Sequence, residues 1–396
     1  MNWKRIDQLE LKGKRVLTRI DINVPINDSR VSDTTRLEKI IPTVTSIIAR
    51  GGIPILISHF GRPSKKKEKE YSLNQLVPYL SKYLKQEVIF TDKDEINTII
   101  NQSKSLKPGQ ILLLENIRFR SGETLNDPIL ARQLAKLGEV YCNDAFSVAH
   151  RAHASTEGVA HLLPNCIGFQ MEAELLNLEQ TLVSPERPVT AIIGGSKIST
   201  KIDLLDNLAQ KFNFLVIGGG MANTFLKAAG FNIGKSLYEE NYLNSAIKIS
   251  KIAEQSNCKI VLPYDIVVAK ELIDKSSSEI YDVTKCPKDL MILDVGPKTI
   301  GKICHIIKKS KTLVWNGPLG AFEFQPFNNA TDAIAKFSSK LTREGKLVSV
   351  AGGGDTISAL SSTGSDKEFT YVSTAGGAFL EWMEGKDLPA LKPLIY

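Results

Sequence analysis

Four arginines stand where a phosphate or carboxylate could be gripped. Arg36 opens a helical pattern, and Arg62, Arg118 and Arg151 each come shortly after a short apolar run. A guanidinium presents a planar fork of donors that matches the oxygens of such anions. A single arginine is usually a surface ion-pair partner. Several close to strand ends or helix starts point instead to a small ligand carrying more than one anionic group. Small polar residues accompany them. Asp21 and Asn23 follow the run Val16–Ile20. Ser58, His59 and Gly61 follow Ile53–Ile57. Glu115 and Asn116 follow Ile111–Leu114, and Asn143, Asp144, Ser147 and His150 follow Val140–Cys142. His59, close to Arg62, reads as a hydrogen-bonding partner for an anion.

The second half of the chain carries glycines in the corresponding places. They lie in Gly194-Gly-Ser-Lys-Ile-Ser-Thr-Lys201, Gly218-Gly-Gly220, Asp294-Val-Gly-Pro297, Asn316-Gly-Pro-Leu-Gly320 and Gly352-Gly-Gly-Asp-Thr356. Glycine lets a backbone approach phosphate closely, and a following helix offers free N–H groups and a positive dipole end. A lone Gly-Gly is more often just a tight turn. Gly-Gly-Gly-Asp-Thr before a helical pattern is stronger, because Asp355 could hold Mg²⁺ while the backbone holds phosphate. No GxxxxGK[ST] sequence is present, and the linked HRD and DFG signatures of protein kinases are missing. His150 and His153 have a spacing that could suit a metal, but no HExxH-type motif accompanies them.

The elements that must position these residues are legible as well. Short apolar runs alternate with helical patterns such as Leu37–Arg50 and Leu204–Phe212. Continuous apolar strands between helices indicate parallel sheets covered on both faces. The fold class is α/β: two doubly wound, Rossmann-like domains joined by a helix, with a cleft between them. In open α/β sheets ligands bind beyond the carboxyl ends of strands, which is where the arginines and glycines fall. A chain of 396 residues fits two domains. The expected divisions are 1–170, a connecting helix and hinge at 171–185, a second domain at 186–380, and a C-terminal segment at 381–396. Met171–Val183 is amphipathic, and Ser184-Pro-Glu-Arg-Pro188 breaks it.

The net charge of +7 favours anionic ligands without marking a nucleic-acid binder. The short basic run over 65–69 reads as a solvated loop. Five scattered cysteines, an odd number without CxxC spacing, fit a reducing compartment and a cytoplasmic location. Met1–Lys14 is polar, unlike a secretory signal, and no apolar run is long enough to span a bilayer.

Several of these segments together resemble the phosphoglycerate kinase family. They are Asp21-Ile-Asn-Val-Pro25, His59-Phe-Gly-Arg-Pro63, Glu115-Asn-Ile-Arg-Phe119, Asn143-Asp-Ala-Phe146 and His150-Arg151. In the second half they are Gly194-Gly-Ser-Lys197 with Lys201, Trp315-Asn-Gly-Pro318 and Gly352-Gly-Gly-Asp-Thr356. They occur in the family's order and span nearly the whole chain. Phe60 stands where leucine is usual, and Thr200 where many members have aspartate. The resemblance implies 3-phosphoglycerate or 1,3-bisphosphoglycerate in the first domain and Mg-ADP or Mg-ATP in the second. It implies Asp21, Asn23, Arg36, His59, Phe60, Gly61, Arg62, Arg118 and Arg151 as triose ligands. Lys201, Gly320, Glu323, Gly353, Gly354, Asp355 and Thr356 would bind nucleotide, with Glu323 on the ribose and Asp355 on the metal. Arg36 and Lys197 would meet the moving phosphoryl group, and Gly376 and Gly377 would add N–H donors. A monomer that closes about the connecting helix, with the C-terminal segment packed back on the first domain, completes the analogy.

The chemistry suits this residue set. A carboxyl group of pKa about 3.5–4 is already ionised at neutral pH, so no general base is required and none stands out. The protein has instead to align two anions and neutralise charge on the group in transit. A nicotinamide-dependent dehydrogenase would need GxGxxG after the first strand of a βαβ unit, and Gly218-Gly-Gly-Met-Ala-Asn223 does not supply it. A non-catalytic nucleotide-binding regulator would be favoured by loss of Lys197, Arg36 or Asp355, and all of them are present.

Overall fold

The computed structural model describes residues 2–27, 30–64 and 68–396. Most of the basic run at 65–69 therefore lies outside the described residues. The chain divides into two compact units, Met1–Leu176 with Asp387–Tyr396, and Asn177–Lys386.

The first unit is built on a parallel sheet. Its strands are β1 (Arg15–Arg19), β4 (Ile53–Ile57), β5 (Val88–Thr91), β6 (Ile111–Leu114), β7 (Val140–Asn143) and β8 (Asn165–Ile167), in the order β5-β6-β4-β1-β7-β8. A small hairpin of β2 (Ile26–Asn27) and β3 (Arg30–Val31) lies outside it. Successive strand residues point to opposite faces, and here both faces are covered. Ile53, Ile55, Ile57, Leu112 and Leu114 pack with the helices Ile96–Ser105 and Pro128–Ala135. Leu56, Ile111 and Leu113 pack the other way, against the helices Ile41–Ala49 and Val77–Leu84. That two-sided burial is why these strands read as unbroken apolar runs. The C-terminal residues belong to this unit. Lys4 N–H donates to the Leu394 carbonyl at 3.0 Å and Ala390 N–H to the Ala149 carbonyl at 3.1 Å.

The second unit repeats the plan. Strands β9 (Val189–Ile193), β10 (Phe214–Ile217), β11 (Lys259–Val261), β15 (Thr312–Asn316), β16 (Val348–Gly352) and β17 (Tyr371–Ser373) form a parallel sheet in the order β11-β10-β9-β15-β16-β17. Ile192, Val216, Leu313, Trp315 and Ala351 pack with the helices Pro297–Lys309 and Asn329–Arg343. A second sheet is antiparallel, with β12 (Asp265–Ala269) between β13 (Glu279–Asp282) and β14 (Met291–Val295). The apolar run Met291–Leu293 belongs to this antiparallel sheet, and these three residues are only half-buried. The helix Phe169–Leu178 continues as a π-helical turn, Glu179–Val183, just before β9.

Leu17 of β1 is fully buried at the centre of the first sheet, between β4 and β7. Leu17→Ala should lower stability by about 2–5 kcal/mol. An earlier urea transition in tryptophan fluorescence or circular dichroism checks this, and an unchanged midpoint would contradict the burial.

Candidate active site

In each unit the candidate residues converge at the carboxyl ends of neighbouring strands. In the first unit those strands are β6, β4, β1 and β7, and in the second β10, β9, β15 and β16. Loops leaving adjacent parallel strands at the same end have to meet, so residues far apart in sequence become neighbours there.

The first unit ties its loops together with the side chains the sequence had singled out. Asp21 receives the Ser147 hydroxyl and the Asn23 N–H, and pairs with Arg36 at 3.0 Å. Arg36 also donates to the Asn23 carbonyl, at 3.0 Å. Asn23 Oδ1 accepts the Gly61 N–H at 2.8 Å, and the Gly61 carbonyl accepts from Arg118. Asn116 clamps Phe60 from both sides, accepting its N–H at 3.1 Å and donating to its carbonyl at 2.7 Å. Burial pushes the Asp21 carboxyl up, but Arg36, His59, Ser147 and the Asn23 N–H together hold it below the usual carboxylate range.

The charges around this loop cluster are predominantly positive. Burial lowers the Arg118 guanidinium to about 10, and repulsion from Arg151, Arg19 and Arg62 adds to that shift. Burial also lowers the His150 imidazole to about 4, helped by Arg151 and His153. Mutually repelling cations at the mouth of a sheet make it a candidate site for an anion. Arg62 is exposed, whereas Arg36, Arg118 and Arg151 are half-buried. His150 Nε2 accepts from Arg151 Nε at 3.1 Å. Among the described residues, no group of three His, Cys, Asp or Glu side chains could hold a metal.

The sequence reading passed over Arg19, which ends β1 and is 1% exposed. Its Nε donates to Ser155 Oγ at 3.0 Å, one Nη to the Ile20 carbonyl, and the other Nη lies 3.2 Å from His59 Nδ1. Ser155 Oγ in turn donates to the buried Glu123 at 2.6 Å. A charged residue within the mostly apolar run Val16–Ile20, at the carboxyl end of its strand, was the signal available.

The second unit builds its site from backbone. A Cβ at Gly194 would stand 1.8 Å from the Pro318 carbonyl oxygen, so only glycine lets the β9 and β15 loops touch. Gly353 has φ +97° and starts the helix Gly354–Ser362. The helix's first N–H groups, without partners inside the helix, face the loop side. Thr356 Oγ1 accepts the Gly317 N–H at 2.7 Å, and Asn316 donates to the Gly352 carbonyl at 2.7 Å. Lys201 Nζ is held by the Gly194 carbonyl at 2.7 Å and by Asn316 Oδ1 at 2.6 Å. Burial brings Lys201 down to about 8, against the opposing pull of Asp355. A cavity of about 340 Å³ opens beside these loops, lined in part by Gly219, Leu237, Gly320, Glu323 and Asp355. Lys197 is exposed on the same loop, whose Ser199 donates from both N–H and Oγ to Glu239. Gly376 and Gly377 begin a further helix directly after β17.

A cluster of arginines at the strand ends of one unit, and glycine turns with lysines and carboxylates at those of the other, suit a two-unit α/β phosphotransferase. The comparisons make the class specific. Residues 6–386 match the family profile described as phosphoglycerate kinase. Phosphoglycerate kinases of Ruegeria pomeroyi and Cereibacter sphaeroides are 54% and 52% identical to this chain, covering 100% of it and 99% and 100% of their own lengths. The structure of phosphoglycerate kinase from Coxiella burnetii superposes with TM-score 0.92 at 40% identity, covering 99% of this chain and 98% of that one. The enzyme from Pyrococcus horikoshii gives 0.80 at 27%, with the same coverage. The chain belongs to the phosphoglycerate kinase family. It is a phosphotransferase with a carboxyl group as acceptor, and ATP and ADP are its nucleotide substrates.

Gly194→Ala should push the β9 and β15 loops apart and lower nucleotide affinity at least about tenfold, since the Cβ meets rigid backbone. Calorimetry with ADP checks this, and wild-type affinity in the variant would contradict it.

Proposed function

We propose that the first unit, about residues 1–170, binds 3-phosphoglycerate or 1,3-bisphosphoglycerate, and the second, about 186–380, binds Mg-ADP or Mg-ATP. The reading is supported above all by the Arg36–Asp21 and Arg118–Gly61 clamps, which hold cations together against their mutual repulsion. Two anionic ends of one small ligand would relieve that repulsion. Asp21, Asn23, His59, Phe60, Gly61, Arg62 and Arg151 complete the triose set in this reading.

On the nucleotide side, Gly353, Gly354, Thr356 and Lys201 take the phosphates, Gly320 lines the cavity, and Glu323 at its margin takes the ribose. Gly376 and Gly377 offer further N–H groups to the group in transit. Asp355 is an exposed carboxylate in the first turn of a helix that itself faces phosphate. That fits Mg²⁺, which is commonly bound by one or two carboxylates together with substrate phosphates. Bound there, the ion would neutralise phosphate charge.

In the ATP-forming direction, a terminal phosphate oxygen of ADP attacks the phosphorus of the acyl phosphate. The bond from that phosphorus to the carboxyl oxygen breaks, and the carboxylate leaves already ionised. No proton moves, so the residues need only bind, align and exclude water. Arg36 and Lys197 balance charge on the phosphoryl group in flight. Transfer requires the two ligands to meet, so the units close during turnover about the segment 171–185. Of the segment 381–396, Asp387–Tyr396 serves the first unit, whereas residues up to Lys386 belong to the second. The enzyme works in the cytoplasm as a monomer, and sedimentation of the purified chain tests the latter.

ATP formation from 1,3-bisphosphoglycerate and ADP tests the reaction directly, and no ATP from the purified protein would refute it. Arg36→Ala should slow single-turnover transfer by about 10²–10³ with a much smaller change in triose affinity. A raised dissociation constant with an unchanged saturated rate would make Arg36 a binding residue only. Lys201 loses its proton at about pH 8. As the protonated form binds phosphate, ADP affinity should be level below that pH and fall about tenfold for each unit above it. Lys201→Arg should flatten the profile. A level wild-type profile in calorimetry up to pH 9.5 (about 1.5 units above that midpoint) would remove Lys201 from the phosphates.

A further inference from the structure

Arg19 touches His59, and the chemistry of the two groups decides the state of the ring. A guanidinium has N–H donors only and no acceptor. The ring atom 3.2 Å from Arg19 Nη2 is His59 Nδ1. That nitrogen must therefore accept, so it carries no proton, and the proton of a neutral ring sits on Nε2. His59 is 5% exposed. The charged groups facing it are Asp21, Arg19, Arg118 and Arg36. Burial lowers its proton affinity well below the ordinary value, Asp21 opposes this, and the three arginines reinforce it.

Arg19 is itself held from behind. Ser155 Oγ accepts from its Nε and donates to Glu123, whose carboxylate also accepts the Ser155 N–H at 3.0 Å. His153 Nδ1 lies 3.5 Å from the same carboxylate. Arg19, Ser155 and Glu123 are all 1% exposed or less. A buried charge is tolerated where it is paired and hydrogen-bonded, and this geometry supplies both. The arrangement leaves Arg19 one outward task, at the imidazole.

We propose that Arg19 is a positioning residue for the transfer reaction: it fixes His59 as the neutral Nε2–H tautomer, so the ring gives its ligand one oriented hydrogen bond and no charge. The ligand class is the anionic carboxylate or phosphate of the triose, and in that respect the proposal rests on the reading of His59 given above. A charged imidazole would add to a crowd of cations already repelling one another. A neutral ring with the other tautomer would turn a lone pair toward an anion. The Arg19 clamp prevents both, and makes this contact insensitive to pH across the neutral range.

Nitrogen-15 spectra of the full-length protein, labelled at histidine, test this without any mutation. His59 should show a bare Nδ1 and a protonated Nε2 across about pH 6–8, the range in which an ordinary histidine titrates. A protonated Nδ1, or a doubly protonated ring in that range, overturns the proposal. Arg19→Met combined with Glu123→Gln removes the donor without leaving a bare buried carboxylate. In that variant His59 should titrate higher and mix tautomers. KM for 3-phosphoglycerate should rise about tenfold, the loss of one oriented hydrogen bond, and become pH-dependent, while KM for ADP stays put. An unchanged tautomer and pH profile in the folded variant also overturns it. The wild-type spectra decide the matter even if the variant does not fold. Adding 3-phosphoglycerate to the wild type separates the two readings. A still Nε2 signal with the expected tautomer leaves the clamp standing and faults the ligand assignment alone.

Discussion

The first unit depends on holding like charges together. Arg19 ends one strand while Arg36, Arg118 and Arg151 follow neighbouring strand ends, and at Arg118 the repulsion from Arg151 and Arg19 is felt directly. The fold answers with neutral and anionic partners on the inner side of each group. Asp21 and the Asn23 carbonyl take Arg36, the Gly61 carbonyl takes Arg118, and Ser155 with Glu123 takes Arg19. These contacts fix direction as well as position, because a guanidinium donates only in its plane. Such pre-organisation is what electrostatic stabilisation of a moving phosphoryl group needs.

The second unit meets a similar demand in another way. Its phosphate groups are to be met mainly by N–H groups, so the problem is close approach of backbone. Gly194 against Pro318, and Gly353 at a positive φ, are the positions where a side chain would block that approach. Lys201 is partly desolvated by the carbonyls that orient it, which leaves its charge responsive to pH in a way no arginine's would be.

Much of this was legible in the sequence, for identifiable reasons. Strands buried on both faces announce themselves as apolar runs, so Ile53–Ile57 and Ile111–Leu114 were readable with their ends. Since ligands of open α/β sheets collect at those ends, Asp21, His59, Arg118 and Asp355 were readable as candidates. Strands on sheet edges or half in solvent were not. Val88–Thr91 carries a half-buried centre, and Glu279–Asp282 is mostly exposed, so neither forms a clean run. Met291–Leu293 formed one, but its strand pairs antiparallel, a property of its partners and not of its own residues. Arg19 was hidden within the run that made β1 recognisable. Its partners Ser155 and Glu123 lie more than a hundred positions away, and only the folded loops join them.

In the proposed function the two ligand chemistries are divided between the two strand-end clusters. Amide shift mapping on the full-length protein tests it most directly. 3-Phosphoglycerate should perturb amides following β1, β4, β6 and β7, including those of Asn23, Gly61 and Arg118. Mg-ADP should perturb those following β9, β10, β15 and β16, including Gly195, Gly219, Gly320 and Asp355. Nucleotide-induced shifts centred on the Asn23 and Gly61 amides, with the Gly353–Thr356 turn unmoved, would contradict the account.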